Sequence, residues 1–496
     1  MMSTYQQLEQ HYGTLGKLWA ANSLLFWDRN VVMKPGSAAV HGEVASAMAA
    51  VHAEKATDPR IEHWLGEAEA ERSRLDAWQA ANLTEMRRLY RHASAVPTEL
   101  KIRQARLGAE MSQAWQKARA ENDFGSFAPY MRQMVELVRE IAGHKAVALG
   151  LKPYDALMDE YDPGVNSELV DGVFGALKLR LPALLEQVLD KQAGWNLLPL
   201  GAGHPDESQR ELCEFVMRKT GYHFDHGRLD QTSHPFALAG VPGDQRITTR
   251  FKADDLRFGL MATIHETGHS FYEYNLPRQY SFQPVGAARG TSLHESQSLM
   301  LEMFACRSAE FVRFLAPELA KRFGAADPAY AYDNVLKHYH KIRRNLIRTE
   351  ADQIVYPLHV ILRYEIELLL LDGSLPIDEL PEFWNTRMKQ LIGVTPPDAG
   401  QGCLQDIHWS FGMFGYFPSY AIGAAIAAQL FETATAADPL ILDGLIEGDF
   451  GPFFAWVKPN VHEKASSLTI QGIVEQATGA PLSAEPLLRH LTQRYG

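Results

Sequence analysis

The sequence predicts a mainly α-helical fold with one small β element beside a two-histidine motif. Three observations carry this. Apolar residues recur at helical spacing from the start, as in Leu8, Tyr12, Leu15 and Trp19. Long tracts such as "PTELKIRQARLGAEMSQAWQKARAEND" are rich in good helix formers. One region, Tyr222 to Arg250, breaks the pattern with turn residues and the β-branched alternation of "DQRITTRF".

The elements follow in order. "LTEMRRLYRHA" continues the helical text, and Pro97 suits the first position of the next helix. "FAPYMRQMVELVREIAGHKAVAL" and "SELVDGVFGALKLRLPALLEQVLDKQ" come next, the second with a kink expected at Pro182. "GAGHPDES", Gly201 to Ser208, reads as a loop. The β element spans about residues 222–251, with a plain surface hairpin as the alternative reading. A helix then opens at Asp254 and Asp255, repeats Leu256, Leu260 and Ile264, and ends before Pro277. After the break at Gly290, Thr291 or Ser292 can cap a new helix. Ile347, Ala351, Ile354 and Leu358 mark the buried face of a later helix. "PDAGQG", Pro397 to Gly402, is a loop. No repeat, low-complexity tract or flexible linker divides the 496 residues, which are read as one unit, 1–496.

Composition narrows the function. A hydrophobic content of 46% with 22% charged residues fits a globular chain able to bury a large core. The net charge of -12, with no basic run or basic helix face, disfavours nucleic acid as a partner. The polar start "MMSTYQQLEQ" does not read as a secretory signal. The apolar run "IELLLLDG", Ile366 to Gly373, is far too short to cross a membrane. Cys213, Cys306 and Cys403 are too far apart to suggest a metal pair or a disulfide framework. A cytoplasmic location is expected, and any metal must be held by His and Glu.

"HETGH", His265 to His269, is the pattern that carries chemistry. Histidines four apart on a helix share a face, so both imidazoles can reach one zinc ion. Glu266 is turned about 100° around the helix, beside the metal rather than on it. A catalytic zinc site needs a third protein ligand. Glu295 is the candidate, in the first turn of the helix after Gly290. The competing reading makes Ser292-x-x-Glu295 a capping box, with a core helix holding two satisfied histidines. His294 is the other candidate ligand but leaves the opposite side of the turn.

The motifs "HPF" (His234–Phe236), "DQRIT" (Asp244–Thr248), "HETGH", "HESQ" (His294–Gln297), "IRTEAD" (Ile347–Asp352) and "GCLQDIHW" (Gly402–Trp409) occur in this order. With "LLFWDRNVVMKPG" and "GYFPSY" (Gly415–Tyr420), they resemble the M32 metallocarboxypeptidases, the carboxypeptidase Taq family. The resemblance implies a large helical fold with a long substrate groove and a small β-sheet next to the zinc site, whose helices span about residues 254–310. It also implies a homodimer that releases single C-terminal residues from peptides with broad specificity. The metal is expected to be Zn2+, with Co2+ or Mn2+ able to substitute. The ligands are then His265, His269 and Glu295, with Glu266 as general base. His408, Tyr420 and Tyr416 are candidates for stabilising the oxyanion. For the terminal carboxylate the candidates are Arg348 and Arg246, and the resemblance favours Arg348, with Asp352 four residues on to orient it; a solvated Arg348–Asp352 surface pair is the competing reading. Arg246 and His234 are expected near the closed end of the groove. Two alternatives stay open: an endo-acting oligopeptidase of the same fold, and a zinc-binding scaffold without turnover.

Overall fold

A computed structural model describes residues 2–201 and 203–496, and most of them are helical. The chain opens with α1 (Thr4–Val31), α2 (Ala38–Ala56), α3 (Arg60–Ala70) and α4 (Ala77–Ala95). Ser3 with Gln6, and Asp76 with Gln79, form capping boxes that start α1 and α4. Tyr5, Leu8, Tyr12 and Leu15 of α1 meet Ile61 and Leu65 of α3 and Leu83 and Met86 of α4 in a small core of their own. The helix α2 buries no residue.

The large core begins with α5 (Thr98–Glu121), α6 (Phe124–Leu149), α7 (Pro153–Tyr161), α8 (Ser167–Gln192) and α9 (Asp206–Lys219). Pro182 does not end α8, which runs through it. Two short strands follow, β1 (Gly227–Gln231) and β2 (Gln245–Thr249). They pair in parallel, with Gly227 opposite Gln245 and Leu229 opposite Ile247. The hairpin reading therefore fails, because a parallel pair needs a crossover rather than a tight turn. Thr249 Oγ1 donates to the Gly259 carbonyl at 3.1 Å and ties β2 to the helix that carries "HETGH".

That helix is α10 (Leu256–Asn275), and α11 (Thr291–Leu299) packs beside it. Gly268 makes the approach possible: a Cβ there would lie 2.6 Å from the Gln297 carbonyl oxygen. The start of α11 differs from expectation. Gly290 is the cap residue, at φ +66°, and the Ser292 N–H donates to Asp162 Oδ1 at 2.7 Å. Asp162, just beyond α7, thus does the work expected of Thr291 or Ser292, and no capping box forms with Glu295. The chain then widens into a π-helical turn, Met300–Ala305.

Next come α12 (Ala309–Phe323), α13 (Tyr332–His340), α14 (Val355–Asp372) and α15 (Leu380–Ile392). The stretch from Ile347 expected to be helical is instead a short 3-10 turn, Arg348–Glu350, leading into α14. The helix α16 (Pro418–Ala437) is buried on all sides from Ala421 to Phe431, as its Ala-rich apolar text requires. Its Gly423 sits so close to α11 that a Cβ would lie 2.9 Å from the Ser292 oxygen and 3.1 Å from Glu295 Cβ. The chain closes with α17 (Leu440–Glu447), α18 (Gly451–Asn460), α19 (Ile470–Thr478) and α20 (Glu485–Tyr495). No described helix is long and apolar enough to cross a membrane.

Candidate active site

The close approach of α10, α11 and α16 brings three donors together. One ligand atom each from His265, His269 and Glu295 lies within 4.8 Å of the other two. His265 Nε2 and His269 Nε2 stand 3.7 and 3.4 Å from Glu295 Oε2. The two imidazole rings are 4.9 Å apart and nearly perpendicular, as residues one helical turn apart allow.

The other side of each ring is also accounted for. His265 Nδ1 meets Glu302 Oε2 at 2.9 Å, and Arg307 holds the other Glu302 oxygen. His269 Nδ1 lies 2.6 Å from His294 Nδ1, and His294 Nε2 lies 3.1 Å from Glu273 Oε1. The protons can be assigned in sequence. If His294 Nε2 donates to Glu273, its Nδ1 is left to accept from His269 Nδ1–H. That leaves the His269 Nε2 lone pair facing Glu295. Glu302 does the same for His265. Ligating histidines backed by carboxylates are the usual arrangement around a divalent ion, so this donor set fits one.

Electrostatics agree. Burial alone would lower the His265 pKa, but Glu295, Glu302 and Glu266 push it up to about 10, so a cation at Nε2 would have to displace a proton. Burial raises Glu266 to about 7, against the pull of His265. For Glu295, the neighbouring His265 and His269 overcome burial and hold its pKa at about 2. Acids therefore outnumber cations here, which suits a bound cation.

A second cluster sits at the start of α16. His408 Nε2 is 3.3 Å from the Tyr420 hydroxyl, and the Tyr416 ring is 5.4 Å from that of Tyr420. Burial lowers the His408 pKa to about 4, so the ring is neutral near pH 7. Tyr420 is on α16, whose Gly423 packs against Glu295, which brings this cluster beside the first. Arg348 lies over the Tyr420 ring, 4.7 Å from its centroid.

Asp352 does not orient Arg348. With no helix there, the i,i+4 relation is lost, and Asp352 accepts the N–H groups of Arg343, Ile354 and Val355. Arg348 pairs instead with Asp406, through Nε at 3.0 Å and Nη2 at 2.9 Å.

Arg246 and His234 stand apart from both clusters. Arg246 on β2 pairs with Asp244 at 2.7 Å and lies over Trp27 of α1. His234 is exposed, in the connection between the strands, and its ring makes no hydrogen bond among the described residues.

Sequence reasoning missed four acids and one arginine. Glu273 and Glu302 lie one to two helical turns from candidate ligands, which is a readable signal. Asp406 lies inside "GCLQDIHW", two residues before His408. Arg363 and Glu367 are charges within the apolar text of α14, and both are fully buried. Glu367 accepts from Tyr154 Oη (2.7 Å), Trp409 Nε1 (2.8 Å) and the Gly415 N–H (2.9 Å), bracketing the segment from His408 to Tyr416.

Comparison with known proteins gives a consistent picture. The pattern of the family described as carboxypeptidase Taq (M32) metallopeptidase matches residues 7–495. Thermostable carboxypeptidase 1 of Thermus thermophilus is 34% identical, over 99% of this chain and 98% of its own length. Carboxypeptidase 1 of Bacillus subtilis is 35% identical, over 77% of this chain and 76% of its own. The structure of Trypanosoma cruzi metallocarboxypeptidase 1 superposes with a TM-score of 0.97 at 37% identity, covering 99% of each chain.

Proposed function

This chain belongs to the carboxypeptidase Taq (M32) metallopeptidase family and is a metallocarboxypeptidase, and on that premise we propose how it works. It releases single amino acids from the free C-termini of peptides, with broad specificity, using one zinc ion. Two imidazoles and one carboxylate are a donor set that zinc favours, and Co2+ or Mn2+ can take the same place. His265, His269 and Glu295 would hold the ion, which would supply Lewis-acid chemistry at the scissile carbonyl and make water a better nucleophile.

The chain's own residues do the rest. Glu266 takes the proton of the attacking water and passes it to the leaving amine, and a pKa of about 7 suits both transfers. Neutral His408 and the Tyr420 hydroxyl donate to the developing oxyanion, with Tyr416 beside them. Arg348 receives the terminal carboxylate. Its Nε and Nη2 already serve Asp406, which leaves the end-on N–H groups of Nη1 and Nη2 for the peptide. His234 and Arg246, on the β element packed against α10, are read as substrate-binding groups near the closed end of the groove. The whole chain acts as one peptidase unit. It is read as cytoplasmic and as a homodimer, the second reading supported by the exposed Trp19, Phe26, Val40 and Val44 along α1 and α2.

One observation carries this reading: two imidazoles and a carboxylate converge within 4.8 Å on the helix pair that also bears Glu266. The test is mass spectrometry of one peptide, with a free or an amidated C-terminus, incubated with the zinc-loaded protein. The free form is expected to shorten one residue at a time while the amidated form stays nearly intact. Internal fragments from both would establish an endo-acting oligopeptidase, and no cleavage would leave a scaffold.

A further inference from the structure

Arg348 does not act on a carboxylate alone. Asp406 is shared: Arg348 holds Oδ1, while Arg363 donates from Nε to Oδ2 at 2.7 Å. Arg363 is fully buried on α14, and its Nη1 donates to the His359 carbonyl at 2.7 Å. Two cations therefore share one anion, and one positive charge is left over within ion-pair distance. The neighbours do not cancel it. Burial lowers His359 to about 3 and His408 to about 4, so both are neutral near pH 7. Glu367 lies one turn along α14 and offsets the charge only in part: burial holds its pKa up at about 7 against the pull of Arg363, its oxygens face Tyr154, Trp409 and Gly415, and it forms no ion pair with Arg363 among the described residues.

We propose that Arg363 is a positioning residue for the peptide's terminal carboxylate: Asp406 aims and neutralises Arg348, and Arg363 supplies the uncompensated charge that makes the site seek an anion. This rests on the reading that Arg348 meets the carboxylate. An unmatched charge in a low-dielectric interior is costly. A carboxylate arriving at the open end of Arg348 completes a balanced cluster of two cations and two anions. An amide cannot. Arg363 has no exposed surface, so its effect reaches the peptide only through the field and through Asp406.

The experiment compares kcat and KM for one peptide in free and amidated form, in the zinc-loaded protein and its variants. Arg363→Met is expected to lower the preference for the free form by about tenfold or more. The loss should appear as a raised KM for the free peptide, with the amidated peptide little changed. In the double variant Arg363→Met/Asp406→Asn, Arg348 regains an uncompensated charge, and the preference should return. Arg363→Lys keeps the charge and should keep the preference, which decides the matter if Arg363→Met does not fold. A merely structural role would slow both peptides alike, and the double variant would be worse than either single one. That result, or a folded Arg363→Lys that loses the preference, overturns the proposal. If Arg348→Ala abolishes the preference while Arg363→Met keeps it, only the role of Arg363 falls. If the unaltered protein shows no preference, the reading of Arg348 falls with it.

Discussion

The two halves of the site are built in different ways. The half proposed to hold the metal comes from one helix and its neighbour: His265, Glu266 and His269 within about one turn of α10, and Glu295 at the start of α11. The cationic half is assembled from a 3-10 turn, the middle of α14, a loop and the start of α16, which supply Arg348, Arg363, Asp406 and Tyr420 in that order. In the first, helix geometry aims the groups. In the second, ion pairs between distant segments do. Damage to the first should therefore stop bond cleavage, while damage to the second should change which peptides are cut.

The largest effect is expected in the metal half. Glu266→Gln should keep the metal and the fold and lose activity by on the order of a hundredfold or more. Metal analysis beside a peptide assay checks this, and near-normal activity would remove Glu266 from its role. His408→Ala tests the seam between the halves. Its kcat is expected to fall by about a hundredfold with little change in KM, because the contact forms mainly in the transition state. A pure KM effect would make His408 a substrate-binding group instead.

Smaller effects separate the halves further. Glu302→Gln leaves every proposed ligand in place but weakens the partner of His265 Nδ1. Metal affinity is expected to drop about 10- to 100-fold, and activity should return with excess zinc. An activity loss that zinc does not restore would break the division of labour. Glu367→Gln is the mildest change. The amide brings a donor against three donors, so at least one of Tyr154, Trp409 and Gly415 loses its acceptor, at about 1–3 kcal/mol of stability. Burial raises the Glu367 pKa from 4.5 to about 7. The folded state then binds this proton more tightly than the unfolded one. Its contribution is full below the unfolded value and is lost as pH rises through the folded one. Unfolding measured between those values should show a slope with pH that Glu367→Gln flattens.

The same contrast explains what was legible in the sequence. Helical periodicity and helix formers reveal a mainly α fold, because both are local properties. Two histidines four apart and a glutamate soon after them need only helix geometry to be read as one candidate site. The strands were readable as β text, but their parallel pairing depends on a crossover that no short-range pattern encodes. The start of α11 shows the limit clearly, since its acceptor comes from Asp162 far back in the chain. Arg348 shows it again: spacing suggested Asp352, while the partner is Asp406, nearly sixty residues on. Charges within the apolar text of α14 were the one cue to Arg363 and Glu367, since a buried charge must find a partner.

One measurement addresses the division of labour directly: the ratio of kcat/KM for the free and the amidated peptide, in Arg348→Ala and in Glu302→Gln, both with saturating zinc. Arg348→Ala is expected to lose about 30- to 1,000-fold on the free peptide and little on the amidated one, so its ratio collapses. Glu302→Gln should keep the ratio of the unaltered protein. The account is contradicted if the ratio survives in Arg348→Ala, or if both variants lose it alike.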